Sequence, residues 1–267
     1  MYEMTLKSLS LFVGSSRCNG NCKHCAGIVH RKYSPLEDGE VDLKLIEKTI
    51  RNCYLQGARY LSISSSGEPT LSPISLTKVF ELLRKLNRKG IIFDQINLYS
   101  NGIRLGGDED FCLKYLPLWK DCGLKTIYIT VHNTNEEKNA KIYGIKKYPS
   151  LSLILSRIHE AGLFVRSNIV LSKNNVGTFI DFKNLVLKLE KLGFDKISAW
   201  SIRDENDKLD KVLAPESSEL NLMEKWVFDE EKTHITIHRE QDQLLYKESK
   251  KLTLFPDGTL SNTWCNH

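Results

Sequence analysis

The sequence has no long apolar run, and this absence argues against a membrane-spanning helix. The apolar stretch SLSLFVG at 8–14 is only seven residues long, whereas a helix that crosses a bilayer needs about 20. The N-terminal segment MYEMTLK also lacks the basic region and the long apolar region of a secretory signal. We therefore predict a cytoplasmic protein with no membrane partner.

A strong charge of either sign is missing as well. The formal net charge is +5 over 267 residues, and the lysines are scattered among acids. There is no basic stripe interleaved with aromatic residues, so the sequence does not predict a surface for duplex nucleic acid. Apolar residues at 41% and charged residues at 27% are ordinary for a globular protein.

Cysteine is used sparingly outside one short segment. An odd count of seven, without a secretory signal, argues against a disulfide framework and for a reducing compartment. Four cysteines are dispersed along the chain: Cys53, Cys112, Cys122 and Cys265. The other three lie within eight positions of the stretch RCNGNCKHCAG at 17–27: Cys18, Cys22 and Cys25. This clustering predicts that the three share a ligand.

Short β-rich runs alternate with amphipathic stretches over most of the chain, and Gly, Pro, Asn or Ser marks each junction. Strands are predicted at 8–14, 58–66, 91–102, 125–133, 163–171 and 194–202. Helices are predicted at 41–57, 74–90, 108–123, 148–162 and 176–193. This alternation predicts parallel strands joined by right-handed crossovers, in an open doubly wound sheet or a partly closed barrel. In both, functional groups collect after the carboxyl ends of the strands, where the unusual loops 15–34, 66–73 and 100–107 fall.

The alternation stops after residue 202. A charged loop is followed by a predicted helix at 219–232, a strand at 234–240 and a hairpin at 251–265 with the turn Pro256-Asp257-Gly258. We expect this part to pack on the barrel. The chain is therefore divided into a core at 1–202 and a C-terminal extension at 203–267.

The three clustered thiols are soft ligands, which suit zinc, copper(I) or an iron–sulfur cluster. A structural zinc site needs four ligands, and His24 or His30 could supply the fourth. Alternatively, three cysteines on one loop can hold three irons of a [4Fe–4S] cluster and leave the fourth iron without a protein ligand. The spacing alone leaves both possibilities open.

Five segments together resemble the radical S-adenosylmethionine (SAM) enzymes. CNGNCKHC matches the family's C-x3-C-x2-C signature after the first strand, and SSSGEPTLSP at 64–73 matches its GGEP-like segment after the second. YSNG at 99–102 resembles the family's TNG segment after the third strand. YITVHNTNEEKNAKIYG at 128–144 and RSNIVLSKNN at 166–175 resemble the fourth and fifth strand segments. The resemblance covers residues 8 to 202 and implies a partial (β/α)6 TIM-like barrel.

The resemblance also implies roles for individual residues. The three clustered cysteines would bind a [4Fe–4S] cluster, and His24 would replace the Phe or Tyr that packs against the adenine of SAM. Further SAM contacts are implied at positions that match the family's segments: Gly67, Glu68, Pro69, Ser100, Asn101, Thr130 and Asn168. His132 either faces the site or is a structural histidine at a strand end. No residue is assigned to the catalytic step on the substrate.

The implied function is reductive cleavage of SAM to a 5′-deoxyadenosyl radical, which abstracts hydrogen from an unidentified substrate. That substrate would be a small molecule, a nucleotide or a peptide, and the electron would come from a donor such as flavodoxin or ferredoxin. The reaction class stays open. A non-catalytic zinc-binding or scaffold protein and a simple electron carrier are the alternatives. No second cluster is expected, because Cys112 and Cys122 lie about 15 Å apart on one predicted helix.

Overall fold

A computed structural model describes residues 6–204, 208–239 and 251–262, leaving out the side chain of residue 26. Nine strands form one sheet in the order β7-β6-β5-β4-β3-β2-β1-β8-β9. The strands are β1 Ser8–Phe12, β2 Tyr60–Ser64, β3 Gln95–Ser100, β4 Thr126–Val131, β5 Phe164–Leu171, β6 Lys196–Ser201, β7 Ile235–His238, β8 Lys251–Leu254 and β9 Leu260–Ser261. All neighbours pair in parallel except β8 and β9. The six predicted strands are confirmed in their predicted order, as a partial TIM-like barrel whose sheet is unclosed.

Eight α-helices accompany the strands within the described residues. They are α1 Leu43–Leu55, α2 Pro73–Asn87, α3 Ile103–Gly107, α4 Glu109–Asp121, α5 Glu136–Tyr143, α6 Leu151–Glu160, α7 Phe179–Leu192 and α8 Ser217–Asp229. Side-chain caps fix several starts: Asp42 accepts from Leu45 N, and Asp108 accepts from Phe111 N. The predicted helices are confirmed, with ends shifted by a few residues to these caps.

The prediction of irregular loops at 66–73 and 100–107 is wrong in part. A 3-10 turn spans Pro69–Leu71, and α3 occupies Ile103–Gly107. A longer 3-10 helix, Ala26–Tyr33, follows the cysteines. Such short elements contain too few residues to show a helical period, because one turn takes about 3 to 4 residues.

The C-terminal extension adds strands to both edges of the core sheet. β7 pairs in parallel with β6, and β8 pairs in parallel with β1. The predicted hairpin is present as β8 and β9, with Gly258 in the left-handed region at a φ of 86°. Residues 263–265 of that prediction, Cys265 among them, lie outside the described residues.

The two faces of the sheet differ in chemistry. Leu61, Leu98, Ile127, Val165 and Ile197 are fully buried on the face that packs against the helices. Because side chains alternate along a strand, the residues between them point to the opposite side, which we call the inner face. The inner face carries mainly polar and aromatic side chains from β1 to β6: Ser10, Ser62, Asn97, Tyr99, Tyr128, Thr130, Arg166, Asn168, Ser198 and Trp200.

A candidate cofactor site at the carboxyl ends of the strands

Three loops meet where the first three strands end. The cysteine loop follows β1, the segment 65–72 follows β2, and the segment 101–102 follows β3. The first two are joined by a backbone hydrogen bond in which Glu68 N donates to Arg17 O at 2.8 Å. A Cβ on Gly67 would overlap Arg17 O and the adjoining backbone. Glycine is therefore needed at position 67 for the close approach of two backbones.

The three cysteines are free and partly buried on the first loop. N–H groups point at two of the sulfurs. Cys18 Sγ accepts from Gly20 N at 3.4 Å and lies 3.9 Å from Asn101 Nδ2. Cys25 Sγ lies 3.8 Å from Arg31 Nη2. Donors in these positions stabilise thiolates, and they are typical of sulfur atoms that bind metal.

Burial and mutual repulsion both affect the pKa values of the thiols. Burial, followed by repulsion from the nearby Cys25 and Cys18, raises the pKa of Cys22 to about 12. Burial is also the main cause that raises the pKa of Cys18. A bound metal group would lower the pKa of these thiols instead, because a coordinating thiol is deprotonated outright.

The histidines that could complete a zinc site have other neighbours. His30 is buried in an aromatic cluster, with its ring 4.7 Å from that of Phe255 and 5.2 Å from that of Phe12. The His24 ring lies edge-on to the His132 ring at 4.9 Å. Within the described ranges, no group of three or more His, Cys, Asp or Glu side chains is arranged to hold a single metal ion.

His24 and His132 form a pair of neutral rings beside the cysteine loop. Burial lowers the pKa of His24, and burial together with the neighbouring His24 lowers that of His132 to about 3. His132 is only 2% exposed, and its Nε2 has no hydrogen-bond partner among the residues described. Its ring also contacts that of Tyr143 edge-on at 5.0 Å. The structure therefore places His132 within the site region, next to the flat ring at position 24.

Glu68 is the most heavily bonded side chain of the site. Its Oε1 accepts from Thr70 N at 3.1 Å, from Thr70 Oγ1 at 2.7 Å and from Ser100 Oγ at 2.8 Å. Its Oε2 accepts from Asn101 N at 2.8 Å. Burial raises the pKa of this carboxyl group, and the four donors oppose that rise. The carboxylate thus joins the loops after β2 and β3, and Pro69 follows it as the first residue of a 3-10 turn.

Asn101 connects the third loop to the first. Its Nδ2 donates to Asn19 Oδ1 at 2.7 Å, and its Oδ1 accepts from Ile103 N at 2.9 Å. Together with the Asn101–Glu68 bond, this arrangement brings together the predicted residues Cys18, Glu68, Ser100 and Asn101. The hydrogen bonds of this arrangement join groups from all three loops.

Thr130 and Asn168 lie further round the barrel. They are register partners on β4 and β5 and share the inner face. The Asn168 Oδ1 atom is buried without a hydrogen-bond partner in the described part of the chain. Tyr143 links this pair to the cysteine loop, because its Oη donates to Thr130 O at 2.8 Å and its backbone O accepts from Asn21 N at 2.7 Å.

Two residues of the site, Arg31 and Tyr143, were not predicted from the sequence. Arg31 stands in the run HRKY and resembles an ordinary surface cation. In the structure its Nε donates to Ser66 O at 3.3 Å while its Nη2 faces Cys25. Tyr143 precedes Gly144, which ends α5 in the left-handed conformation at a φ of 62°. No local spacing distinguishes either residue.

The chain is similar to a known protein family and to several solved structures. The family model described as the radical SAM superfamily matches residues 12–186. No protein with a curated function matches the sequence. Streptococcus suis SuiB, solved with its precursor peptide SuiA, superposes with a TM-score of 0.68 at 15% identity, covering 97% of this chain and 60% of that one.

Two other solved structures have similar folds. Native anSMEcpe with bound AdoMet superposes with a TM-score of 0.61 at 16% identity, covering 96% of this chain and 74% of that one. Methylornithine synthase (PylB) superposes with a TM-score of 0.58 at 11% identity, covering 97% and 74%. At these identities the likeness shows the fold. The present chain spans 60% of the length of SuiB. Within the described residues, no helix combines the length and the apolar character needed to cross a membrane.

Proposed function

The chain belongs to the radical SAM superfamily, and from this premise we propose that it cleaves SAM reductively and uses the resulting radical on a substrate. Members of this family are enzymes that use a [4Fe–4S] cluster and SAM. When bound, the cluster would pass one electron from the donor to SAM, which would yield methionine and a 5′-deoxyadenosyl radical able to take a hydrogen atom from the substrate. The observation that carries the proposal is the set of three partly buried thiols on one loop, with N–H donors at two sulfurs.

The donor set of this chain fits such a cluster. The loop offers three free and partly buried thiols that would serve as its ligands. We propose that Cys18, Cys22 and Cys25 hold the cluster, since soft thiolates are the ligands of iron–sulfur groups. The alternative of a zinc or scaffold protein is weaker, because His30 packs between aromatic rings.

The neighbouring loops would bind and orient SAM. We propose that the segment 67–69 holds its amino group, through backbone carbonyls and the one Glu68 oxygen that accepts a single bond. Ser100 and Asn101 would fix this segment, Thr130 and Asn168 would face the ribose or carboxylate, and the neutral ring of His24 would pack against the adenine. The protein contributes orientation and the exclusion of water, while the cofactors carry the difficult chemistry.

The substrate and the electron donor belong to the proposal too. SuiB was solved with a precursor peptide and anSMEcpe with a Cp18Cys peptide, so a peptide is one candidate substrate beside a small molecule or a nucleotide. We propose flavodoxin or ferredoxin as the donor, a cytoplasmic location, and no contact with duplex nucleic acid. The division into a core at 1–202 and an extension at 203–267 is likewise proposed.

The direct test is metal content followed by SAM turnover. After anaerobic isolation and reconstitution, we expect about four irons and four sulfides per chain, and dithionite with SAM should yield 5′-deoxyadenosine. One zinc per chain without iron would support the zinc-binding alternative. Iron and sulfide without deoxyadenosine would support an electron carrier and contradict the enzyme.

Arg31 is expected to raise the reduction potential of the bound cluster. A guanidinium beside Cys25 Sγ favours the more negative, reduced state. Replacing Arg31 with Gln should lower the midpoint potential by on the order of 50 mV, which corresponds to about 1 kcal/mol for one electron. An EPR-monitored redox titration measures the shift. Arg31→Lys, which keeps the charge, should shift the potential less. Equal midpoint potentials in wild type and Arg31→Gln would contradict the expected effect of Arg31 on the cluster.

A further inference from the structure

Arg166 carries a positive charge on the inner face of β5, and its side-chain hydrogen bond and its cation–π contact in the described part of the chain are both with one tyrosine. Its Nη1 donates to Tyr128 Oη at 3.2 Å, and its guanidinium carbon lies 5.2 Å from the centre of the Tyr128 ring. Its Nε atom is buried and has no hydrogen-bond partner among the described residues. A buried donor of a charged group that lacks an acceptor is costly. An anion that accepted a hydrogen bond from this Nε atom would remove that cost.

The neighbouring inner-face position adds a second cation. Lys196 at the start of β6 is the register partner of Arg166, and its side chain is exposed. Paired residues of neighbouring strands point to the same face, and like charges in such pairs repel. An anion that bound on the inner face between these two side chains would relieve this repulsion. The charge pattern of β5 and β6 thus favours the same ligand as the buried Nε atom.

A flat aromatic wall lies on the other side of Arg166. Tyr99 and Tyr128 are register partners on β3 and β4, and their rings stack at 4.6 Å between centroids. Both rings are partly exposed, as is Arg166. A ligand at the guanidinium can therefore rest its planar or apolar part on the tyrosine rings.

The position of Arg166 separates it from the SAM contacts proposed above. Arg166 precedes Asn168 by two residues, which places it about 7 Å further from the carboxyl end of β5. Thr130 and Asn168 form the layer nearer the cysteine loop, and Tyr128 and Arg166 form the layer below. A group held by Arg166 therefore lies deeper in the barrel than the proposed SAM contacts.

We propose that Arg166, flanked by Tyr128 and Lys196, binds an anionic oxygen group of the substrate, either a carboxylate or a phosphate. The planar fork of a guanidinium matches both groups through paired hydrogen bonds. This inference deepens the proposed function and rests on it for the identity of the ligand as substrate. It places the anionic end of the substrate in the lower layer and leaves the other end towards the cofactors.

The test measures binding of simple probes to the cluster-free chain by ligand-detected NMR titration. Benzoate supplies a carboxylate on a flat ring, phenyl phosphate supplies a phosphate, and benzamide is the uncharged match. We expect at least one anion to bind about ten-fold or more tightly than benzamide, since hydrogen bonds to charged groups are the stronger ones. The anion that binds more tightly identifies whether the site takes a carboxylate or a phosphate.

Variants assign the effect to the proposed residues. Arg166→Gln should weaken binding of the preferred anion about ten-fold, to the affinity measured for benzamide. Arg166→Lys should bind that anion with an affinity between those of wild type and Arg166→Gln. Tyr128→Phe keeps the ring and removes the acceptor that orients Arg166, so it should weaken the anion several-fold even if Arg166→Gln does not fold. Arg51→Gln is the matched control, because it removes one positive charge from an ion pair on α1 and should change nothing.

The outcomes separate this inference from the proposed function. Arg166→Gln, reconstituted with its cluster, should still form 5′-deoxyadenosine from SAM at the wild-type rate when no substrate is present. Loss of that reaction in the variant alone would mean that Arg166 serves SAM, and would overturn the inference. Equal anion binding in wild type and Arg166→Gln, or equal binding of anions and benzamide, would overturn it too. Failure of wild type to cleave SAM would instead refute the proposed function.

Discussion

Replacing Cys22 with Ala should abolish the iron–sulfur absorbance and the cleavage of SAM together. Cys22 is the middle ligand of the proposed three, and its pKa of about 12 reflects burial and the closeness of both other thiols. Two thiolates would be left for the cube, and a second iron would lose its protein ligand. We expect 5′-deoxyadenosine formation to fall by more than about 100-fold, beyond the 10–100-fold loss that follows removal of an outer-shell partner.

The measurement needs iron analysis, visible absorbance and a deoxyadenosine assay on the same preparation. Cys122→Ala is a suitable control, because it removes a buried thiol just after α4, outside the three loops. That variant should keep its iron and its activity. A Cys22→Ala protein that kept both cluster and SAM cleavage would disprove the proposed ligand set.

Replacing Glu68 with Ala should destabilise the whole fold. The carboxylate is 2% exposed and receives four hydrogen bonds from Thr70, Ser100 and Asn101. Its removal leaves buried donors without an acceptor, at about 1–3 kcal/mol for each unsatisfied group. Partial relaxation of the hydroxyl groups reduces that sum. We expect a loss of about 3 kcal/mol in the free energy of unfolding, measured by urea denaturation of the cluster-free chain.

Glu68→Gln should not preserve the hydrogen bonds of the wild-type carboxylate. Both carboxylate oxygens accept hydrogen bonds, Oε1 from Thr70 and Ser100 and Oε2 from Asn101 N. An amide places an NH2 group at one of these positions, where it meets another donor. We expect Glu68→Gln to lie nearer to Glu68→Ala than to wild type, both in stability and in SAM cleavage.

A surface carboxylate provides the control for Glu68. Glu37 pairs with Arg17 at 2.6 Å, and both side chains are more than half exposed. Such pairs contribute less than about 1 kcal/mol, so Glu37→Gln should unfold at nearly the wild-type urea concentration. If Glu68→Ala also stayed within about 0.5 kcal/mol of wild type, the structural role given to its four hydrogen bonds would be refuted.

The fold and the centre of the site could be predicted from the sequence because their signals are local. The spacing of Cys18, Cys22 and Cys25 is contained in one loop, and the six strands show their alternation within a few residues. Parallel strands that alternate with helices bring their carboxyl ends to one edge. The loops with Cys22, Glu68 and Asn101 therefore had to lie near one another, and the structure confirms that they do.

The partners of each side chain could not be predicted in the same way. Glu68 and Asn101 stand 33 positions apart. Nothing in either segment indicates that the Glu68 carboxylate accepts hydrogen bonds from both loops. The parallel pairing of β8 with β1 and the short helix α3 were missed for related reasons. A hairpin pattern does not indicate which sheet edge it joins, and a single helical turn shows no period.

The sequence by itself determined the kind of protein, since its motifs and periodicities each lie within a single loop, strand or helix. Only the tertiary structure decided which groups face one another: Arg31 at Cys25, Tyr143 between Thr130 and the cysteine loop, and Arg166 beside Tyr128. For Arg166 and Tyr128 the physical reason is strand register. The inner-face neighbours of a strand residue depend on how parallel strands align their hydrogen bonds, and that alignment is set by the packing of the whole sheet against its helices.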